Sequence, residues 1–385
     1  MNGESIMTKP LTVLQVRNSV VHGGPETTLL GWLENIDRNK LNCPVALFRN
    51  RGGCEQPFRK TLEAGGNRVL DLPWYPGKQF RAAVNELARL IGETGARILH
   101  THDWRSDVIG YHAAKRAGVP IVTTIYVWFN RPLKIYVSEL VDALYIRRFN
   151  CVTAVCEATL KQTIDRGVPA QRCEVLISGI SPKRYRESVD REAVRRRFNM
   201  GPDDIVFVYA ARFYPEKAHL VLLKAFEKAC GEDGRLKLLL LGNGPLEGAI
   251  RGCVAQLGIS GRVVMPGFVT DIPEVLRAMD VMVHASLAEG IPLAIYEGMA
   301  ARLPIIASSV DGNPEVVIPG KTGWLVPPKE VSTLAEKIIE ASGRSDLRET
   351  YGRQAREFIL ANYSMEKATS RLESIYRRLL DRTAE

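Results

Sequence analysis

The stretch Ile205-Val206-Phe207-Val208-Tyr209-Ala210-Ala211-Arg212-Phe213-Tyr214-Pro215-Glu216-Lys217 decides how the chain folds. Its first half is a short apolar run rich in β-branched and aromatic residues, as expected of a strand buried on both faces. It ends in Arg212, a proline and Lys217, after which an amphipathic stretch begins. Strand, short turn and helix make the repeating unit of a parallel α/β sheet. Arg212 offers a planar fork and Lys217 a point charge just past the strand. That pair suits a diphosphate, where charge builds on a leaving group. An ion pair to Glu216 or Glu289 is an equal reading of the same residues.

The alternation runs through the whole chain. Strand candidates are 11–17, 43–48, 68–72, 97–101, 120–126, 150–155 and 173–177, then 204–211, 236–241, 261–265, 280–284, 304–308 and 324–326. Helical stretches of about 10–15 residues separate most of them. Ser178-Gly179-Ile180-Ser181-Pro182 is the best hinge candidate. It divides the chain into an N-terminal domain, 1–180, and a second domain, 181–362, expected as two Rossmann-like, doubly wound sheets facing across a cleft. The final segment, 363–385, holds a helix over 364–383 with Met365, Ala368, Leu372, Ile375, Tyr376 and Leu379 on one stripe. Ligands of doubly wound sheets bind at the carboxyl ends of the strands, so the informative residues should follow strands.

They do. Glu289 sits in a Gly-flanked turn and Glu297 in an otherwise apolar stretch eight residues on. A buried carboxylate is costly unless something polar meets it. Pro292 suits the first position of a helix, where no N–H is needed. The free N–H groups of Ile291, Pro292's successor Leu293 and Ala294 would then face the space beside Glu289, a ready site for phosphate with carboxylates to hold sugar hydroxyls. The pattern points to a phosphorylated sugar. Gly242 and Asn243 open another helix after a strand; a tight turn is the plainer reading, close backbone approach to a ligand the sharper one. Phe268 and Val269 form a turn or a frame for a nucleobase. Gly23 and Gly24 follow the first strand and open helix 25–38. His100 and His102 lie two apart at a strand end, a weak metal signal without a third ligand, and more often a hydrogen-bonded structural pair.

Composition sets bounds. The 385 residues carry 45% hydrophobic and 25% charged side chains, ordinary for a globular protein of two domains. No run approaches the ~20 apolar residues of a membrane span. Residues 1–10 lack the apolar core of a signal peptide, and the seven cysteines include no C-x-x-C, so reduced thiols and a cytoplasmic location are expected. The net charge of +9 fits a phosphorylated substrate or an anionic membrane surface as well as nucleic acid, and no nucleic-acid motif accompanies it. No D-x-D, P-loop, strand-following G-x-G-x-x-G or G-x-S-x-G occurs, which weighs against a metal clamp, a P-loop kinase, a nicotinamide dehydrogenase and a hydrolase.

With these residues in place, the chain resembles glycosyltransferase family 4, the group 1 retaining enzymes of GT-B fold. The carrying residues are Arg212, Lys217, Glu289 and Glu297, then Gly298-Met299-Ala300, Leu303-Pro304-Ile305-Ile306-Ala307, Gly312-Asn313-Pro314-Glu315 and Gly323-Trp324-Leu325-Val326. Gly23-Gly24, Leu99-His100-Thr101-His102 and Val152-Thr153-Ala154-Val155 match more loosely. The resemblance implies a nucleotide-diphosphate sugar donor of UDP or GDP type, no metal and no other cofactor. It implies Arg212, Lys217 and the N–H groups of 291–293 on the diphosphate, Glu289 on the sugar and Glu297 on the ribose. Gly23 and Gly24 would close on the donor phosphates or lie near the acceptor, and the last helix would cross back to the N-terminal domain. The family commonly has a histidine where this chain has Tyr126, so Tyr126 and His102 are the substitute candidates there. The implied acceptor is a glycan or lipid-linked chain, in surface polysaccharide or glycolipid synthesis. Trp128 to Tyr136 mixes aromatic and basic residues that suit a membrane interface, sugar stacking or simple packing. A non-catalytic nucleotide- or glycan-binding member and a nucleotide-sugar 2-epimerase are the alternatives.

Overall fold

The computed structural model describes residues 9–19, 23–49, 57–73, 79–128, 133–185, 188–290 and 292–384. The chain forms two units. The first comprises Met1–Gly179 with Met365–Glu385, and the second Ile180–Ser364.

In the first unit the strands are β1 (Leu11–Arg17), β2 (Leu41–Asn42), β3 (Val45–Phe48), β4 (Val69–Leu72), β5 (Ile98–Thr101), β6 (Ile121–Ile125), β7 (Cys151–Ala154) and β8 (Cys173–Val175). They pair in parallel in the order β4-β3-β1-β5-β6-β7-β8, with β2 added to β1. Hydrophobic cores lie on both faces. One gathers Leu14, Leu87, Leu99 and Ile109, the other Val13, Trp32, Phe58 and Val122. Alternate residues of each strand feed the two cores, which is why the strands read as continuous apolar runs. Chain order reverses between β1 and β5, so ligand-facing loops of this unit follow those two strands.

The second unit repeats the scheme with β9 (Ile205–Ala210), β10 (Leu236–Leu241), β11 (Val263–Gly267), β12 (Val281–His284), β13 (Ile305–Ser308) and β14 (Gly323–Val326). The order is β11-β10-β9-β12-β13-β14, again parallel throughout, and the reversal falls between β9 and β12. β11 runs two residues further than its apolar pattern suggests and includes Pro266. It lies at the sheet edge, where a strand tolerates a residue without an N–H. Two-residue β2 was not visible as a separate strand, because no periodicity exists over so short a run.

The helix Met365–Ala384 belongs to the first unit. Met365, Ala368, Leu372, Ile375, Tyr376 and Leu379 are all buried there, packed with Trp32 and Leu33 of the helix Gly24–Asn35. The chain leaves the unit at Gly179, whose φ is +81°; a Cβ there would lie 2.9 Å from Met365 Cα. Trp32 Nε1 donates to the Ser178 carbonyl at 3.1 Å, and Thr28 and Ser178 hydroxyls bond at 2.9 Å. Backbone and side chains thus fix this crossing point to the last helix. None of the helices is long and apolar enough to cross a membrane among the described residues.

Candidate functional site

The reversal point of the second sheet collects most of the charged residues singled out from sequence. Past β9 the chain turns through Arg212 into the short 3-10 turn Pro215–Lys217, and then into the helix His219–Glu232. Past β12 it runs through Glu289 into the helix Leu293–Ala300. The Leu287 N–H donates to the Glu216 carbonyl at 2.7 Å and ties the two loops together. The Lys217 ammonium donates to Glu289 Oε1. The same oxygen bonds His284 Nε2 at 2.7 Å, and Ser286 Oγ reaches that ring nitrogen at 3.1 Å. Tyr209 holds the other side: its hydroxyl donates to the Lys217 carbonyl at 2.8 Å and meets Ser286 Oγ at 3.1 Å. The Glu289 backbone N–H donates to Asp311 Oδ2 at 2.8 Å. Glu289 is only 7% exposed. Burial alone opposes its ionisation, but Lys217 and His284 more than offset it and hold the carboxyl below the usual carboxylate range.

Arg212 is exposed, lies over the Tyr214 ring at 4.7 Å and stands 3.9 Å from Glu216. It is the cation of this group with most access to solvent. Its loop is braced from behind by Gly242 and Asn243. The Phe213 N–H donates to the Asn243 carbonyl at 2.8 Å. Gly242 has φ +142°, and a Cβ there would fall 2.2 Å from the Ala211 carbonyl oxygen, so only glycine fits. Phe268 is 74% exposed just after β11, whereas Val269 packs on the core. The Gly242 N–H bonds the Gly267 carbonyl at 2.9 Å, which brings the Phe268 loop beside the Arg212 loop.

Pro292 does not begin the helix as its residue type suggested. It caps the helix from outside, with φ −77° and ψ 83°, and Leu293 is the first helical residue. The Ile295 and Tyr296 N–H groups return to the Pro292 carbonyl at 2.8 and 3.2 Å. Leu293 is half-buried, and Ile291 lies outside the described residues. Glu297, one turn further on, is half-buried between different partners. Burial pushes its carboxyl up to about 7, against the pull of Arg184 and Tyr185. Its titration therefore falls near neutrality, unlike that of Glu289.

The first unit carries a second group at its own reversal point, between β1 and β5. Gly23 precedes the helix Gly24–Asn35, and its N–H donates to Glu26 Oε2 at 3.0 Å. Glu26 Oε1 accepts from Arg17 Nε at 2.8 Å, and Arg17 also donates to the His102 carbonyl. Arg17 lies over the Tyr126 ring at 5.5 Å. His102 is 1% exposed. Its Nε2 bonds Gln15 Oε1 at 2.8 Å and its Nδ1 bonds the Tyr126 hydroxyl at 3.0 Å. Gln15 Nε2 donates to Tyr376 at 3.1 Å, so Gln15 presents its oxygen to the ring. Nε2 of His102 therefore carries the proton and Nδ1 accepts from Tyr126. Burial, then His100 and Arg17, hold His102 well below the ordinary imidazole range, and the ring is neutral. These contacts give His102 the part of a positioning residue for Tyr126. His100 bonds Tyr376 at 2.6 Å and Thr124 at 2.8 Å. Both rings are occupied by protein groups, as the plainer reading of that pair had it.

His284, Ser286, Asp311, Gln15, Arg17 and Glu26 belong to these groups and carried no weight in the sequence. The only advance signal was His284 at a strand end five residues before Glu289. Arg184 and Tyr185, which act on Glu297, lie just past the hinge segment, more than a hundred residues before it, and no local pattern links them to it.

Comparison with known proteins supplies the family. Residues 190–358 match the family described as glycosyl transferases group 1, and residues 23–179 match the glycosyl transferase 4-like domain. Among curated relatives, N-acetyl-alpha-D-glucosaminyl L-malate synthase of Bacillus anthracis is 26% identical over 302 residues, 77% of this chain and 78% of the relative. An Escherichia coli UDP-Gal:alpha-D-GlcNAc-diphosphoundecaprenol alpha-1,3-galactosyltransferase is 24% identical over 304 residues, 75% of this chain and 77% of the relative. Among solved structures, Anabaena HepE in complex with UDP-glucose superposes with a TM-score of 0.85 at 22% identity, over 96% of this chain and 100% of that one. The two matched segments together take in both units, and the chain belongs to the group 1 glycosyltransferases of GT-B fold.

Proposed function

We propose that the protein transfers a sugar from a nucleotide-diphosphate sugar, of UDP type, to a glycan or lipid-linked acceptor with retention of anomeric configuration. The observation that carries this reading is the Lys217–Glu289 pair beside Arg212, at the reversal point of the second sheet. One relative, named for UDP-Gal and a diphosphoundecaprenol acceptor, and a fold neighbour solved with UDP-glucose support the donor and acceptor classes.

In this reading Arg212 and Lys217 take the diphosphate. Charge grows on the leaving oxygen as the glycosidic bond breaks, and each donor held there contributes ~3 kcal/mol in the transition state. Glu289 uses Oε1 for Lys217 and His284 and turns Oε2 to a sugar hydroxyl. Glu297 accepts from the ribose, Phe268 lies along the base, and the first N–H groups of the helix Leu293–Ala300 add to the phosphate field. The acceptor attacks on the leaving group's own face, and the departing phosphate takes its proton, so no enzymic nucleophile or metal is required. In the first unit, Gly23, Gly24 and Tyr126 serve the acceptor, with the Tyr126 hydroxyl aimed by His102. An acceptor in surface polysaccharide or glycolipid synthesis fits this chemistry.

The test is a thermal-shift panel of UDP-, GDP- and ADP-sugars, since a ligand of the folded state raises Tm by mass action. A shift with UDP-sugars is expected; no shift with any of them would sink the reading. Nuclear magnetic resonance of the anomeric proton in the first product decides retention. Donor incubated alone yields free sugar slowly, and an epimerised donor would favour an epimerase instead.

A further inference from the structure

The helix Leu133–Ile146 has two faces of opposite character. Ala143 and Ile146 point inward and are buried, Ile146 in the core under β1 and β5. Asp142 is also buried, beside Asp107 of the helix Trp104–Ala117. The outward stripe is Tyr136, Val137, Leu140, Val141 and Leu144, each 38–52% exposed. Among the described residues, seven large hydrophobic side chains are exposed, and five of them are on this one helix. Such clustering needs an explanation that scattered surface leucines do not. Past the stripe come exposed Arg147 and Arg148. The helix's two carboxylates lie off it, Glu139 half-buried and Asp142 buried.

We infer that this stripe is a docking surface for an anionic lipid bilayer, on which the helix lies flat with its apolar side chains in the headgroup region. A helix of 14 residues spans ~21 Å, too short to cross the hydrocarbon layer. An apolar face bounded by basic residues is the pattern of an in-plane helix. Anionic headgroups complement Arg147, Arg148 and the net charge of +9. Five side chains are few beside the ~20–30 per partner of a stable protein interface, which disfavours a second copy as the occupant. The inference rests on the proposed lipid-linked acceptor, and it places the enzyme at the surface where such an acceptor resides.

The experiment is flotation of the full chain with phosphatidylcholine vesicles, with and without phosphatidylglycerol. It compares the wild type with Val137→Ser/Leu140→Ser/Leu144→Ser and with Arg148→Glu. The wild type should float with the anionic vesicles and not with the neutral ones. The triple variant should bind at least ~tenfold more weakly, and Arg148→Glu should lose the preference for anionic lipid. UDP binding and circular dichroism of both variants should match the wild type. Failure of the wild type to float, or a triple variant that floats equally well, would overturn the inference. So would a wild-type dimer in light scattering that the triple variant dissolves, since the stripe would then be a protein interface. Loss of UDP binding by a wild type that still floats would count against the donor reading and leave this surface standing.

Discussion

Lys217 and Glu289, 72 residues apart in the chain, share one carboxylate oxygen with His284. The pair holds a negative charge in a buried place without leaving it uncompensated, and it keeps a cation at the end of β9. Lys217→Ala should lower kcat by about a hundredfold or more if that cation meets the leaving group. Glu289→Gln should act differently. UDP should still bind within a few-fold of wild type, but the added affinity given by the sugar should disappear. Calorimetry with UDP and with a UDP-sugar separates the two effects, and equal loss for both ligands would contradict the division of labour.

Glu297 supplies a pH signature. Burial raises its carboxyl to about 7, so the acid form dominates below that value and the carboxylate above it. A carboxylate can accept from two ribose hydroxyls, whereas the acid surrenders part of that capacity, so Glu297 in its proposed place at the ribose gives donor binding a pH dependence. Donor affinity should therefore improve as pH rises through about 7, by about threefold to tenfold, and level off beyond. Glu297→Gln should flatten the profile. A wild-type affinity constant from pH 6 to pH 8 (a window of about one unit on either side) would remove Glu297 from the ribose.

The chain from Tyr376 through Gln15 and His102 to Tyr126 predicts a split between stability and turnover. His102→Ala removes the partner of both Gln15 and Tyr126 and should cost about 2–3 kcal/mol in urea unfolding. Tyr126→Phe leaves only His102 Nδ1 without a partner and should cost about 1 kcal/mol. Yet if the Tyr126 hydroxyl meets the acceptor, the milder variant loses at least as much kcat. A Tyr126→Phe enzyme of full activity would confine this network to structure.

Asp107 and Asp142 give a stability test with a definite sign. Burial pushes Asp107 up to about 7, with Thr101 and Thr123 opposing, and burial together with Asp107 pushes Asp142 well above its ordinary value. Native carboxyls that hold their protons more tightly than the unfolded chain stabilise most in acid. Their contribution is complete below about 4 and is lost as pH rises through about 7. Tm should fall by several degrees between those limits, and Asp142→Asn should reduce the fall. A Tm that rises across the window would contradict the pairing.

Much of this was legible in advance because parallel strands buried on both faces leave unbroken apolar runs. Arg212, Lys217, Glu289 and Glu297 stood out as charges after or among such runs, where burial demands a reason. Asp311 did not, since its contact depends on a turn with φ +40° that no local pattern announces. The His102–Tyr126 contact is equally hidden. It joins residues just past the ends of β5 and β6, and only the pairing of Thr101 with Thr123 sets those ends side by side. Pro292 misled by one position: it stands just outside the helix start, where its missing N–H is as little needed as in the first turn.

The last helix also dictates an order of assembly. Tyr376 closes a buried polar cluster whose other members, Gln15 and His100, were made some 276–361 residues earlier. During synthesis the second unit, Ile180–Ser364, is complete in sequence before the first. The half of the protein that leaves the ribosome first is thus the half that finishes last. Until residue 376 arrives, the face of Trp32 and Leu33 that the last helix covers stays open to water, the kind of transiently exposed apolar surface that favours aggregation.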